Sequence, residues 1–448
     1  MALPLRSLSF LLLVPLLALT ACDGAETGTG GSGGGTTSIT RPADPPQNDP
    51  AFTVNGVPRY LLAGDDLTAA TASFTLQVTA PAGAGDVVLW LDDQAKPVSL
   101  VKEGDLLVAT VDAQALAIGQ HTVLLAETGA AQGFFKADFV KGHALYMMVS
   151  TDWDFPDVDD RVLDHHAELH ALHPELRITH LIGPYTFTDP AVPQARRDFI
   201  VGWALDMEST YGDEIGLHVH PRCTFVEAAG LPCLTQPSVA YPEGDATGYT
   251  VRLGAYTREE WNVLFAKAAD IWQSVGFPEA RAFRAGAWTL ETHVAQALAD
   301  SGFVVDSSPV NWAYMEEWEG YDLLTWNQQQ WGPINDTSQP YFPTEDSLLP
   351  VGAGPEIPLL LVPDNGIMVD YWKVDEMKAI FDANWSGQAL ETPIQVSTGF
   401  HPAPEQFYSK AEYDRLDQLF TYTDQFLASN LQGPVVYIRM SDATQVWK

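Results

Sequence analysis

Six residues of this chain have the types and the setting to do hydrolytic chemistry: Asp152, Asp154, His218, His220, Arg284 and His401. Each stands at the end of a short apolar run or just beyond one. Residues 144–149 lead into Thr151-Asp152-Trp153-Asp154, and Glu214-Ile215-Gly216-Leu217 leads into His218-Val219-His220. Ile394-Gln395-Val396 leads into Thr398-Gly399-Phe400-His401. Carboxylates at the end of a buried strand are costly to desolvate unless they hold a cation or a proton in play. His218 and His220 are two apart, so in extended backbone both rings point to one side and can share an ion. A carboxylate with two imidazoles and open positions is a standard ligand set for Zn2+ or a similar divalent metal, with room left for water.

Such groups meet only if several strands end at one rim. From Gly142 onward the sequence has the texture this requires. Strands are expected near 144–151, 177–182, 214–219, 282–285, 303–305, 357–362, 394–400 and 435–440. Helices are expected between them, near 158–176, 195–211, 257–276, 292–301, 373–384 and 411–427. Seven or eight βα units predict an α/β fold, a distorted (β/α)7–8 barrel over 142–448 whose carboxyl-terminal strand ends form the site. Asp306 ends the fifth strand at that same rim. No G-x-G-x-x-G opens a helix after a strand and no Walker-type loop is present, which argues against a nucleotide-binding open sheet.

Residues 51–141 read differently. Segments such as 73–78, 87–91, 106–111 and 121–125 alternate with period two and are separated by Gly, Pro and Asp turns. That pattern predicts a small all-β, immunoglobulin-like sandwich preceding the barrel. Residues 1–21 carry Arg6 and an apolar stretch from Leu8 to Leu19, which reads as a signal peptide too short to span a bilayer. Leu19-Thr20-Ala21-Cys22 resembles the bacterial lipobox, which implies lipidation of Cys22 and anchoring to a membrane facing the periplasm or the cell exterior. Residues 22–50, rich in Gly, Thr and Pro, read as a disordered tether.

The chain has 58 acidic and 23 basic residues and a net charge of −35, which argues against nucleic acid or anionic lipid as a partner. Two cysteines remain, Cys223 and Cys233, close together in a Pro-containing loop just after His220. In an oxidising compartment they are expected to form a disulfide that stiffens one wall of the site.

Four motifs, in order, resemble the polysaccharide deacetylase (NodB-homology) superfamily: Thr-Asp-Trp-Asp, Glu-Ile-Gly-Leu-His-Val-His-Pro, Phe-Arg-Ala-Gly-Ala-Trp and Thr-Gly-Phe-His-Pro. The resemblance spans 145–448 and is that of a divergent member, because common members have adjacent acids and histidines three residues apart. It implies that Asp154, His218 and His220 ligate the metal, expected to be Zn2+, and that Asp152 is the general base. It further implies that His401 is the general acid and that Arg284 orients the base. Trp153, Trp288 and Asp306 are expected to face the substrate, with Asp306 open between orienting His401 and a structural role. The implied partner is an acetylated polysaccharide or peptidoglycan-type glycan, N- or O-acetylated.

Two alternatives use the same residues differently. A degenerate barrel of this kind could bind surface glycan without catalysis. Asp-x-Asp after a strand also opens haloacid-dehalogenase-like phosphatases, although that reading leaves His-x-His and Phe-His-Pro unexplained. His165, His166, His170 and His173 on the first barrel helix read as a polar face rather than a metal clamp. The aromatic stretch 312–342 lacks clear periodicity and is either a sugar-stacking wall or a packed loop.

Overall fold

The computed structural model describes residues 40–94, 97–241, 245–315 and 318–448. The expected signal peptide, Cys22 and the first part of the tether lie outside the described residues.

Among the described residues, nine strands precede the barrel: β1 (Thr53–Asn55), β2 (Tyr60–Leu62), β3 (Ser73–Thr79), β4 (Val87–Leu91), β5 (Val98–Ser99), β6 (Val101–Glu103), β7 (Leu106–Asp112), β8 (Gly119–Glu127) and β9 (Phe135–Gly142). They form two sheets, ordered β1-β3-β7-β6 and β2-β9-β8-β4-β5. In β3 the alternation is complete: Phe74, Leu76 and Val78 are buried and the residues between them are exposed. These side chains meet Leu89, Val123, Leu125 and Phe139 in the sandwich core.

The expected tether ends earlier than residue 50. Arg41 Nε donates to the Asp92 carbonyl, Ala43 bridges to Gln132, and Asn48 Oδ1 accepts from the Lys136 N–H at 2.9 Å. A few backbone and side-chain bonds, with the Lys136–Asp44 ion pair, hold this segment, although its composition alone reads as disordered.

Eight strands follow among the described residues: β10 (Leu145–Asp152), β11 (Ile178–Ile182), β12 (Glu214–Val219), β13 (Ala282–Ala285), β14 (Val305–Asp306), β15 (Leu360–Leu361), β16 (Ile394–Phe400) and β17 (Val435–Ile438). All pairings are parallel, in the order β15-β14-β13-β12-β11-β10-β16. β17 pairs with the first half of β10, at Leu145–Met148, whereas β11 pairs with its second half, from Val149 to Asp152. Between β15 and β16 the wall is completed by an irregular segment that bridges Met368 to Gly399. This is a distorted α/β barrel preceded by an all-β sandwich. All eight residues of β10 are buried, as expected for a parallel strand covered on both faces.

Helices alternate with the strands, at Asp160–Leu172, Gln194–Tyr211, Arg258–Val275, Thr292–Asp300, Val374–Asn384 and Lys410–Thr423. Asp159 caps the first by accepting from the Arg161 backbone N–H, and a Thr257–Glu260 capping box starts the third. Among the described residues, no helix is long and apolar enough to cross a membrane.

Two local expectations change. The stretch 312–342 contains the helix Asp322–Trp331, with Leu323, Asn327 and Trp331 buried. The polar face of the histidine-bearing helix is formed by Asp160, Arg161, Asp164 and Glu168 and not by three of its histidines. His166, His170 and His173 are buried, and His170 and His173 bond Asp213 and Asp424 at 2.9 and 2.7 Å. Carboxylates from other elements make those buried imidazoles tolerable.

Candidate metal centre and active site

Strand alternation places the acids. Asp152 ends β10, and the chain then turns so that the Asp154 N–H donates to the Asp152 carbonyl at 3.1 Å. Both carboxylates line a cavity at the carboxyl rim. Trp153 between them points the other way. It is fully buried, its Nε1 donates to Thr151 Oγ1 at 3.2 Å, and its ring packs on Trp203 at 5.7 Å. Trp153 therefore cannot contact substrate, contrary to the sequence expectation, because a residue between two rim-facing acids must point into the helix layer.

His218 and His220 come from the end of β12 and share one side, with ring centroids 5.0 Å apart. Each Nδ1 is engaged by a backbone carbonyl, His218 with Arg284 at 3.0 Å and His220 with Tyr249 at 2.7 Å. A carbonyl only accepts, so each Nδ1 carries hydrogen, and in the neutral ring each Nε2 presents a lone pair. Those two Nε2 atoms lie 3.0 and 3.3 Å from Asp154 Oδ1. The three ligand atoms are all within 4.8 Å of one another and all three residues are buried. Three acceptors facing one point are a cation site by their chemistry, and the outward Nδ1 bonds are the support that metal-ligating histidines use.

Burial pushes the His220 imidazole below its ordinary range, against the pull of Asp154. Burial works to raise the Asp154 carboxyl, but His220 and His401 hold it well below the usual range. Asp154 is fixed further by Tyr249, whose hydroxyl donates to Oδ2 at 2.5 Å, and by Arg222, which donates to its backbone carbonyl at 2.8 Å. Gly286 is required beside this cluster, because a Cβ there would lie 2.7 Å from the His220 ring.

Arg284, fully buried on β13, donates from Nη1 to Asp152 Oδ1 at 2.9 Å and to Ser150 Oγ at 2.8 Å. Its Nε and Nη2 donate to the Ser307 carbonyl and hydroxyl. His401, after β16, has Nδ1 2.5 Å from Asp370 Oδ2. Burial opposes the charge on His401, yet Asp370, Asp154 and Asp152 push its pKa up to about 10.

Asp306 is neither at the substrate nor near His401 as an orienting group. It is fully buried and accepts from the Ser308 N–H and hydroxyl at 2.9 and 2.8 Å, and burial pushes its carboxyl up to about 7. The partner of His401 is Asp370. Sequence reading missed it because it follows an irregular segment with no strand pattern. Trp288 does line the cavity, with a left-handed φ of 56°. Cys223 and Cys233 form a disulfide with Cα atoms 5.0 Å apart. The loop they anchor returns Tyr241, Tyr249 and Thr250 to the cavity.

The cavity encloses about 300 Å³ and contains Asp152, Asp154, His218, His220 and His401 together. A second cleft, of about 380 Å³, lies against the helix Arg258–Val275, lined by Phe265, Trp272, Phe277 and Phe303, and among the described residues holds no comparable ligand group.

Fold and site together define a parallel α/β barrel with a candidate divalent-metal centre at its carboxyl rim. Solved structures similar to this chain include a Mycobacterium smegmatis protein described as a polysaccharide deacetylase, 14% identical over 68% of this chain and 91% of that one, with a TM-score of 0.38. Another is a Parabacteroides distasonis protein described as a glycoside hydrolase/deacetylase, 12% identical over 68% and 71%, with a TM-score of 0.43. A third is a family 4 acetyl xylan esterase of Clostridium thermocellum in complex with a cobalt ion, 7% identical over 66% and 89%, with a TM-score of 0.32. No family model matches the sequence, and no curated protein matches it.

Proposed function

We propose that this chain is a metal-dependent hydrolase that removes acetyl groups from an N- or O-acetylated glycan. The observation that carries the reading is the convergence of Asp154 Oδ1 with two Nε2 atoms whose opposite nitrogens are already committed as donors. Asp154, His218 and His220 hold the cation, and Zn2+ suits that set. When bound, it polarises the acetyl carbonyl and makes water more acidic.

The remaining work falls to the side chains. Asp152, held by Arg284 through Oδ1, faces the cavity and takes a proton from the attacking water. The water oxygen bonds to the acyl carbon, and the C–N or C–O bond breaks. His401, protonated and oriented by Asp370, gives a proton to the departing nitrogen or oxygen. The products are acetate and a free amine or hydroxyl. The protein acts outside the cytoplasm, tethered to a membrane by lipid on Cys22.

A second reading, glycan binding without catalysis, draws on one observation: Asp152 is 2% exposed and ion-paired with Arg284. The cavity beside it, which leaves room for substrate, favours the hydrolase. A haloacid-dehalogenase-like phosphatase gives no role to the two histidines that meet Asp154.

Metal analysis of the purified protein tests the centre, with one equivalent expected in the wild type and loss in His218→Ala and His220→Ala. Acetate release from acetylated oligosaccharides should vanish in Asp152→Asn and His401→Ala. A wild type that binds glycan and never releases acetate would establish the second reading instead.

A further inference from the structure

The walls of the cavity say what kind of glycan unit fits. On one side Trp318, from the insertion after β14, donates its Nε1–H to the Tyr371 hydroxyl at 3.1 Å. Tyr371 in turn meets Trp288 edge-on at 6.0 Å. Three separate rim segments thus join in one continuous aromatic wall. On the other side stand Tyr241 and Tyr249, brought in by the disulfide-anchored loop, with Tyr249 tied to the ligand Asp154. Tyr321, 48% exposed, marks the mouth.

Two further properties narrow the occupant. The cavity, at about 300 Å³, sits at the lower end of the roughly 300–1,000 Å³ typical of small-molecule sites. That is room for one sugar ring with its acetyl group inside the cavity, and any further ring would lie beyond the mouth at Tyr321. Among the described residues, no lysine or arginine lines it, and the chain as a whole carries a net charge of −35. Among the cavity's side chains, a carboxylate or phosphate on the substrate ring would find no cationic partner other than His401, which Asp370 already holds, and the cation on Asp154, His218 and His220 is reserved for the acetyl carbonyl. Aromatic faces instead match the C–H faces of a neutral pyranose.

We propose that the site takes a single uncharged acetylated pyranose, free or at the end of a chain, and that the Trp318–Tyr371 wall excludes internal units of a polymer. This rests on the hydrolytic reading above and names the substrate class of the same site.

The test compares N-acetylglucosamine, its β-1,4-linked hexamer and N-acetylmuramic acid on zinc-loaded full-length protein. The terminal unit of the hexamer should lose acetyl at least tenfold faster than internal units, located by mass spectrometry. Trp318→Ala should reduce that ratio severalfold at unchanged metal content, while Trp318→Phe, which keeps a ring, should retain most of it. Equal rates at internal and terminal units in the wild type would overturn the proposal, as would an unchanged ratio in Trp318→Ala.

Calorimetric binding to the zinc-loaded Asp152→Asn variant separates the two claims. If no acetate is released from anything, the hydrolytic reading fails and binding still decides the pocket. N-acetylglucosamine should then bind at least tenfold more tightly than N-acetylmuramic acid, and absence of monosaccharide binding would reject the proposal.

Discussion

Arg284 and Asp152 form a buried ion pair, Nη1 to Oδ1 at 2.9 Å, with side chains 0% and 3% exposed. Each comes from a different strand, and the guanidinium also serves Ser150 and Ser307. Removing one partner of such a pair leaves an uncompensated charge in the interior. Arg284→Met is therefore expected to lower unfolding stability by about 3–5 kcal/mol, measured by urea denaturation. Arg284→Lys keeps the charge but not the fork, and should recover part of that stability with poor acetate release.

The candidate metal centre predicts a stability that depends on metal. Zinc at about 100 times its dissociation constant should add about 2.7 kcal/mol to unfolding stability, read as a rise in Tm with zinc concentration. His218→Ala and His220→Ala should abolish the rise, because each removes one of three converging ligand atoms. A zinc-independent Tm in the wild type would refute the centre.

Asp370 sets the protonation of His401. The raised pKa of about 10 owes much to that carboxylate 2.5 Å away. Loss of Asp370 lowers it, so an acid that must be protonated fails at lower pH. In Asp370→Asn the alkaline limb of the kcat/KM profile should move down in pH. An unmoved limb would remove Asp370 from this role.

Asp306 predicts a pH-dependent stability unrelated to catalysis. Its carboxyl, raised from 3.8 to about 7 by burial, binds a proton more tightly in the folded protein than in the unfolded chain. Its contribution is fully present below about pH 4 and is lost as pH rises through about 7. Asp306→Asn, which stays neutral, should gain stability relative to wild type across that window, on the order of a few kcal/mol by pH 8. Denaturation at pH 5 and pH 8 measures the difference.

Trp153 belongs to the core and not to the substrate. Trp153→Ala should cost about 3–5 kcal/mol of stability. Trp153→Phe should cost less and leave monosaccharide binding within twofold of wild type, since the ring never reaches the cavity.

The alternation of apolar runs with ligand residues was enough to place Asp152, Asp154, His218, His220 and His401 at one rim. Backbone geometry imposes this: strands that run parallel end on the same side, and His-x-His in extended chain must point one way. The sandwich was legible for a similar reason, since a sheet with one wet face writes its burial directly as period two. Where both faces are buried that record disappears. Along β10 all eight residues are inside, so burial does not separate the cavity-facing Asp152 from its core-facing neighbours, and Trp153 just beyond the strand packs on Trp203. The same holds for Asp306 and for the buried histidines of the first barrel helix. Asp370 and Tyr249 stand 31 residues from His401 and 95 from Asp154, and only the path of irregular loops brings each to its partner. Hydrophobic period encodes the strands and their rim, whereas long-range packing of segments without period decides which side chains complete the site.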